Sequence, residues 1–313
     1  SNVRRLANST VVGYYDHNML TIVERNPEQS WLRERFWRVR AQQVIIATGA
    51  VERPLVFPNN DRTGMMLVSA ASTYVHRFAV NLGRQMVITT NNNSAYQSAF
   101  NLVEAGQNIH AIVDTRQTID YELLKQSADQ GIEVLSASGI IAVRGRSNVH
   151  GVEVVSLADS SQVSKLACDV VAYSGGWNPL VHLHSHSGAK PVYNARLACF
   201  VPGESVQSSF CAGAVRGVFD LKGCLHEGLA AGRRSVEALG LRPMMPRQPD
   251  ASDTPELQIE PIWEIPTTSR AKAFVDFQND VTSDDLKLAV RENYASIEHA
   301  KRYTTAGMAT DQG

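Results

Sequence analysis

The run Val44-Ile45-Ile46-Ala47, broken at once by Thr48-Gly49, constrains the fold of this chain more than any other feature. An uninterrupted apolar strand is buried on both faces, as strands inside a parallel sheet are. Open parallel sheets receive ligands at the carboxyl ends of their strands. A glycine there lacks the Cβ that would hold a ligand away from the main chain. Thr48 and Gly49 are therefore candidate ligand contacts.

The surrounding pattern supports such a sheet. A meander of short strands over 10–15, 19–23 and 37–40 leads into 44–47. A helix is predicted over 69–80, then strand 85–89, helix 94–105, strand 109–113, helix 121–130 and strand 132–135. Gly106 and Gly131 sit where helix C-caps belong. Hairpin strands 139–144 and 151–157 follow, then strands 166–174 and 209–214 and a long helix 221–239. This alternation predicts an α/β fold with a parallel sheet, and 313 residues allow two domains and a small third. Residues 241–268 hold six prolines and little periodicity, and read as a linker. Two helices, 283–292 and 294–301, are predicted after it.

Composition removes several function classes. A formal net charge of -1 gives no basic surface for nucleic acid. No stretch approaches the roughly 20 apolar residues that span a bilayer, and no apolar leader opens the chain. The four cysteines, Cys168, Cys199, Cys211 and Cys224, form no C-x-x-C pair. They are expected to be buried free thiols in a reducing, cytoplasmic setting.

Four segments could carry chemistry. The first continues from Ala47-Thr48-Gly49-Ala50 into Glu52-Arg53-Pro54. In two-dinucleotide-domain flavoproteins, A-T-G-A-x-x-R-P marks where the chain leaves the first nucleotide domain for the second, which adds Arg53 to the candidates. The second is Val87 to Ala95, where related domains carry G-x-G-x-x-G/A. Here the glycine positions hold Thr90 and Asn92, and the last holds Ala95. Asn tolerates left-handed backbone, so the turn is expected to survive with impaired phosphate access. Asp114, ending the next strand, is placed to bind a ribose. A degenerate domain kept as scaffold is the competing reading. The third is Phe210-Cys211-Ala212-Gly213-Ala214. Flavin reductases end this strand in A-G-D, whose Asp accepts a hydrogen bond from the flavin's ribityl-phosphate end. Ala214 lacks that acceptor, while Gly213 still permits close approach, so both are candidate nucleotide contacts. The fourth is His182-Leu183-His184-Ser185-His186, which has metal-ligating residues but no neighbouring Cys or carboxylate; a role between loop and core is expected. No Ser, His and Asp grouping carries a catalytic motif, so neither a catalytic residue nor a metal ligand is assigned.

Longer runs are more specific. Glu52-Arg53-Pro54-Leu55-Val56-Phe57-Pro58-Asn59-Asn60-Asp61-Arg62, Ser174-Gly175-Gly176-Trp177-Asn178-Pro179 and the stretches 272–282 and 301–313 strongly resemble the alpha subunits of heterotetrameric sarcosine oxidase. The resemblance runs over essentially the whole chain. It implies an α/β, two-dinucleotide-binding-domain (FAD/NAD-linked reductase-like) architecture, N-terminally incomplete, with a small C-terminal helical domain. The expected layout is 1–55 with 195–240 as part of the first nucleotide domain, 56–194 as a second, degenerate one, 241–268 as linker and 269–313 as the helical domain. The family oxidises sarcosine to glycine with O2, giving hydrogen peroxide and formaldehyde, or methylenetetrahydrofolate when folate is present. The resemblance implies NAD on this subunit, at Thr48, Gly49, Arg53, Gly213 and Ala214, with FAD and covalent FMN on or at a beta subunit. It implies beta, gamma and delta subunits as partners, and a chain inactive alone. The family's N-terminal phosphate loop and C-terminal folate domain have no counterpart in these residues. Two other readings are an FAD/NAD-dependent amine or opine oxidase-type reductase subunit and a non-catalytic scaffold.

In related amine and opine oxidase subunits the tail domain holds an iron–sulfur cluster through a C-x-C-E-x-V-T pattern and a final G-M-G-x-C-Q-G. Aligned on Val281-Thr282 and Gly307-Met308, the cysteine positions become Asp276, Gln278 and Asp311. Hard oxygen ligands do not replace thiolates. The expectation is the domain's shape without a cluster.

Overall fold

The computed structural model describes residues 3–27, 31–159, 162–244, 246, 250–251 and 256–308. The chain forms two compact units, Ser1–Val51 with Trp177–Leu257 and Glu52–Gly176 with Gln258–Gly313. The crossings fall at 51/52 and 176/177, where the sequence placed them at 55/56 and 194/195. The segment 258–313 clusters with the second unit.

The first unit opens with an antiparallel meander, β1 (Ser9–Tyr15), β2 (Met19–Arg25) and β3 (Glu34–Arg40). Tyr14 is fully buried beneath it and donates to Asn18 Oδ1 at 2.6 Å. The apolar run becomes β4 (Val44–Ile46), with Val44 and Ile46 buried and Ile45 exposed. It is thus covered on one face, not on both as the unbroken apolar pattern suggested. β5 (Ala50–Glu52) carries the chain across the first boundary.

The second unit is built on a five-stranded parallel sheet. Its elements in chain order are β6 (Met65–Leu67), α1 (Val68–Phe78), β7 (Met86–Thr90), α2 (Ser94–Glu104), β8 (Ile109–Asp114), α3 (Tyr121–Asp129) and β9 (Glu133–Leu135). A meander of β10 (Ser138–Arg144), β11 (Gly151–Ser156) and β12 (Val163–Ala167) precedes the last sheet strand, β13 (Val170–Ser174). The strand order is β6-β13-β7-β8-β9. Alternate residues face opposite sides of a strand, and two cores follow from that. Met86, Ile88, Ile112, Val170 and Ala172 point to the helices, against Val75, Tyr96, Phe100 and Leu102. Val87, Val113, Val171 and Tyr173 point to the meander, against Ile140, Val143, Val152 and Val154. Both faces are covered, which is what an all-parallel sheet requires.

The predicted strand 166–174 is two strands in two sheets. Asp169 breaks it: its carboxylate accepts the N–H groups of Arg84 and Gln85 at 2.9–3.0 Å and turns the chain from the meander into the parallel sheet. α1 stops at Phe78, two residues before the predicted end, because Ala79 adopts a left-handed conformation, φ 53°.

Back in the first unit come β14 (Trp177–Pro179), α4 (His182–His186), an antiparallel pair β15 (Pro191–Asn194) and β16 (Cys199–Pro202), then β17 (Ser209–Cys211) and α5 (Leu221–Ala238). The pair β15–β16 had no counterpart in the sequence reading. Asp220 caps α5 by accepting from Gly223 N–H at 2.6 Å. β17 ends earlier than predicted, since Gly213–Arg216 form a 3-10 turn.

The tail of the second unit holds β18 (Phe274–Asp276), β19 (Val281–Thr282), α6 (Ser283–Arg291) and α7 (Ile297–Thr304). A reciprocal capping box between Thr282 and Asp285 starts α6. Of the predicted linker, Gln258–Ile265 is packed chain: Ile265 is 2% exposed within the second unit's meander core.

Candidate nucleotide site

In the first unit β17 and β4 pair in parallel, with Ser209 opposite Val44 and Cys211 opposite Ile46. Ala212 N–H continues the ladder to Ile46 O at 3.0 Å. The two chains therefore leave the sheet side by side, as Ala47-Thr48-Gly49 and Ala212-Gly213-Ala214. Both glycines have φ +78°, a region that side chains with a Cβ rarely adopt. Around Gly49 an added Cβ would meet nothing within 4 Å, so the turn is open to solvent. Thr48 is exposed and its hydroxyl donates to Leu180 O at 2.8 Å, while Leu180 N–H donates to Gly49 O at 2.9 Å. Four of the five sequence candidates, Thr48, Gly49, Gly213 and Ala214, thus share one end of one parallel pair.

Ala214 leaves the flavin-type acceptor position without a carboxylate. A carboxylate does reach this strand end, but from another element. Glu227 on α5 accepts Gly213 N–H at 2.8 Å and pairs with Arg216 at 3.1 Å. Sequence reasoning missed Glu227 because no local pattern joins a strand end to a helix residue fourteen positions on.

The fifth candidate, Arg53, lies in the second unit. Its backbone is held by Gly175 and Gly176, and its guanidinium lies over the Trp263 ring at 4.8 Å. The neighbouring Glu52 was also missed. Its carboxylate is 7% exposed and accepts Ser69 N–H at the start of α1 at 2.7 Å, and burial raises its pKa.

The turn after β7 departs from expectation. None of Asn91, Asn92 and Asn93 has a positive φ, so the left-handed tolerance of Asn is not used. Asn92 is fully buried, and its Oδ1 takes Ser94 N–H at 3.1 Å and the Ser94 hydroxyl at 2.6 Å. Thr90 Oγ1 takes Asn92 N–H at 3.1 Å. Asp114 does not present a carboxylate to a ribose. It is 0% exposed, ion-paired with Arg116 at 2.6 Å and hydrogen-bonded by the Tyr96 hydroxyl at 2.9 Å. Burial, with the charge of Asp114 beside it, raises the Tyr96 pKa.

The three histidines diverge. On a helix, positions i and i+4 share a face and i+2 does not; His184 is fully buried while His182 and His186 are exposed. His184 Nδ1 lies 3.9 Å from Cys211 Sγ, and His186 Nδ1 accepts Tyr14 N–H at 3.3 Å. His184 thus meets β17, and His186 ties the α4 turn to β1. The four cysteines form no disulfide; Cys168 and Cys199 are buried, and Cys211 and Cys224 only partly so. Burial pushes the Cys168 thiol up to about 12.

In the tail, Asp276 occupies one aligned cysteine position. Its carboxylate accepts from Gln278 N–H (2.8 Å), Asn279 N–H (3.2 Å), Asn279 Nδ2 (3.2 Å) and Gly307 N–H (2.8 Å). Gln278 is exposed, and Asp311 lies outside the described residues. Among the described residues no group of three or more His, Cys, Asp or Glu is arranged to hold a metal ion, and no helix is long and apolar enough to cross a membrane.

The fold defines the class: the chain has the FAD/NAD-linked reductase-like α/β architecture. It superposes on L-proline dehydrogenase from P. horikoshii with a TM-score of 0.62 at 15% identity, covering 97% of this chain and 56% of that one. It superposes on Lactococcus lactis thioredoxin reductase with a TM-score of 0.55 at 16% identity, covering 74% of each chain. At such identities the likeness is one of fold. Sequence narrows it further: over its whole length the chain is similar to sarcosine oxidase alpha subunits. It is 38% identical to that subunit of Rhizobium meliloti (strain 1021), over 100% of this chain and 31% of the relative. It is 35% identical to that of Corynebacterium sp. (strain P-1), over 98% of this chain and 33% of the relative. Residues 270–313 match the Sarcosine oxidase A3 domain. The chain spans about a third of the length of these relatives.

Proposed function

We propose that this chain acts as part of a sarcosine oxidase alpha-type subunit and contributes nucleotide binding and a partner interface, not sarcosine chemistry. The observation that carries the reading is the whole-length similarity to sarcosine oxidase alpha subunits, including the A3 match. The nucleotide is NAD, held in the first unit by the main chain at Thr48-Gly49 and by the Gly213-Ala214 turn. The open space at Gly49 fits a ligand approaching the backbone. NAD would supply adenosine and pyrophosphate groups for these contacts; the chain's own residues bind and orient. Ala214 weighs against flavin here, since the acceptor for a ribityl-phosphate end is missing. FAD and covalent FMN then belong to a beta subunit, with gamma and delta subunits completing a heterotetramer in the cytoplasm.

The test is co-expression with a candidate beta subunit, followed by a sarcosine-dependent peroxide assay and analysis of nucleotide released on acid denaturation. The expected result is a complex that forms peroxide from sarcosine and releases NAD from this chain. Failure to associate overturns the partner reading. A yellow isolated chain with stoichiometric flavin favours a reductase-type subunit.

A further inference from the structure

The carboxyl end of the second unit's sheet, the position at which such a domain would take a dinucleotide, is filled by the chain's own residues 258–263. Asn93 N–H donates to Gln258 O at 3.1 Å, and Gln258 N–H returns to Asn93 Oδ1 at 2.8 Å. Glu260 N–H donates to Asn91 O at 3.0 Å, Asn91 Nδ2 to Ile262 O at 3.2 Å, and Asn92 bridges Ile259 in antiparallel sense. Arg116, whose guanidinium neutralises Asp114, also donates to Gln258 O at 3.2 Å. Trp263 Nε1 donates to Gly175 O at 3.1 Å and its ring faces Arg53. Ile259 lies against Gly176, where an added Cβ would come within 2.5 Å of its Cδ1.

A dinucleotide at this place needs three things: backbone N–H groups at the start of the helix for its pyrophosphate, a close main-chain approach, and a carboxylate for its ribose. Each is committed elsewhere. The N–H groups of Asn92 and Ser94 go to side chains of the turn, that of Asn93 goes to Gln258, and Asp114 is neutralised. A phosphate arriving here would have to break several hydrogen bonds already made.

We propose that the second unit's sheet end is a peptide-binding site occupied by its own strap, Gln258–Trp263, and that this unit is closed to dinucleotides. Asn93 and Arg116 are the positioning residues that hold the strap. The assignment of NAD to the first unit rests on the functional reading above, but the closed strap does not depend on it.

The experiment is amide hydrogen exchange by mass spectrometry on the full chain, with and without millimolar NAD, on wild type, Asn93→Ala and Ile259→Ala. Gln258 and Glu260 should exchange as slowly as β7. Both variants should speed exchange over 258–262 by about tenfold, the loss expected for one hydrogen bond or one side-chain contact, with NAD affinity unchanged. NAD should slow exchange at 46–50 and 211–216 and leave 90–96 unaltered. Slowed exchange at 90–96 with NAD, weakened NAD binding in Asn93→Ala, or a strap that exchanges like exposed loop overturns the proposal. Slow exchange in the strap with no NAD effect anywhere upholds it and removes the nucleotide reading instead.

Discussion

Asp276 takes four N–H groups onto one carboxylate and so fastens the 276–279 loop to Gly307. Hydrogen bonds to the ionised form hold its pKa below the ordinary 3.8. The linkage sign follows from that depression. The contribution to stability is fully present above the unfolded pKa and is lost as pH falls through the lower folded value. As pH falls below 3.8 through the lower folded value, the protection factors of the Gly307 and Asn279 amides should therefore drop. In Asp276→Asn the same amides should have low protection factors already at pH 6, with little further change on acidification. An unchanged pH profile in the variant would show that the carboxylate is not the fastener. Where related domains would place a soft thiolate, this residue presents a hard oxygen already saturated by donors, a disagreement that hydrogen-bond chemistry explains and spacing alone does not.

Among elements, the strap and the split strand show what a pattern of residues conveys. The succession of strands and helices announced a parallel sheet, and Gly49 and Gly213 were legible because strands that end in glycine make turns of restricted backbone. The strap was not legible. It is held mainly by main-chain groups, and main-chain hydrogen bonding leaves no trace in side-chain periodicity. Glu227 and the Arg53–Trp263 stack escaped for a related reason: both join residues remote in sequence. Ile265 offers a test of how firmly this element is built in. It packs on Gly139, whose added Cβ would lie 2.7 Å from its Cγ2. Ile265→Ala should cost about 2–4 kcal/mol through lost burial and a residual cavity, read as a lower urea midpoint for the second unit. A change below about 0.5 kcal/mol, the usual range for a surface site, would mean that the segment is a linker after all.

At the scale of the whole molecule, the chain passes between its two units three times, at 51/52, 176/177 and 257/258. Neither unit is a continuous stretch, so no single cut yields one of them intact. A chain ending at Leu257 would strip Ile262, Trp263 and Ile265 from the meander core and bare the turn at Asn91–Asn93. Such a truncation should keep the first unit's melting transition and lose the second's in circular dichroism. Two unaltered transitions would contradict the division described above.

The late return of the strap also sets an order in time. The parallel sheet and its meander are complete in sequence by Ser174, yet the residues that close its end and finish its core are made about 80 positions later. At a synthesis rate of about 5–20 residues per second, that sheet spends roughly 4–16 s on the ribosome with an open end and an unfinished apolar face. For that interval the surface that its own later residues will cover stays exposed.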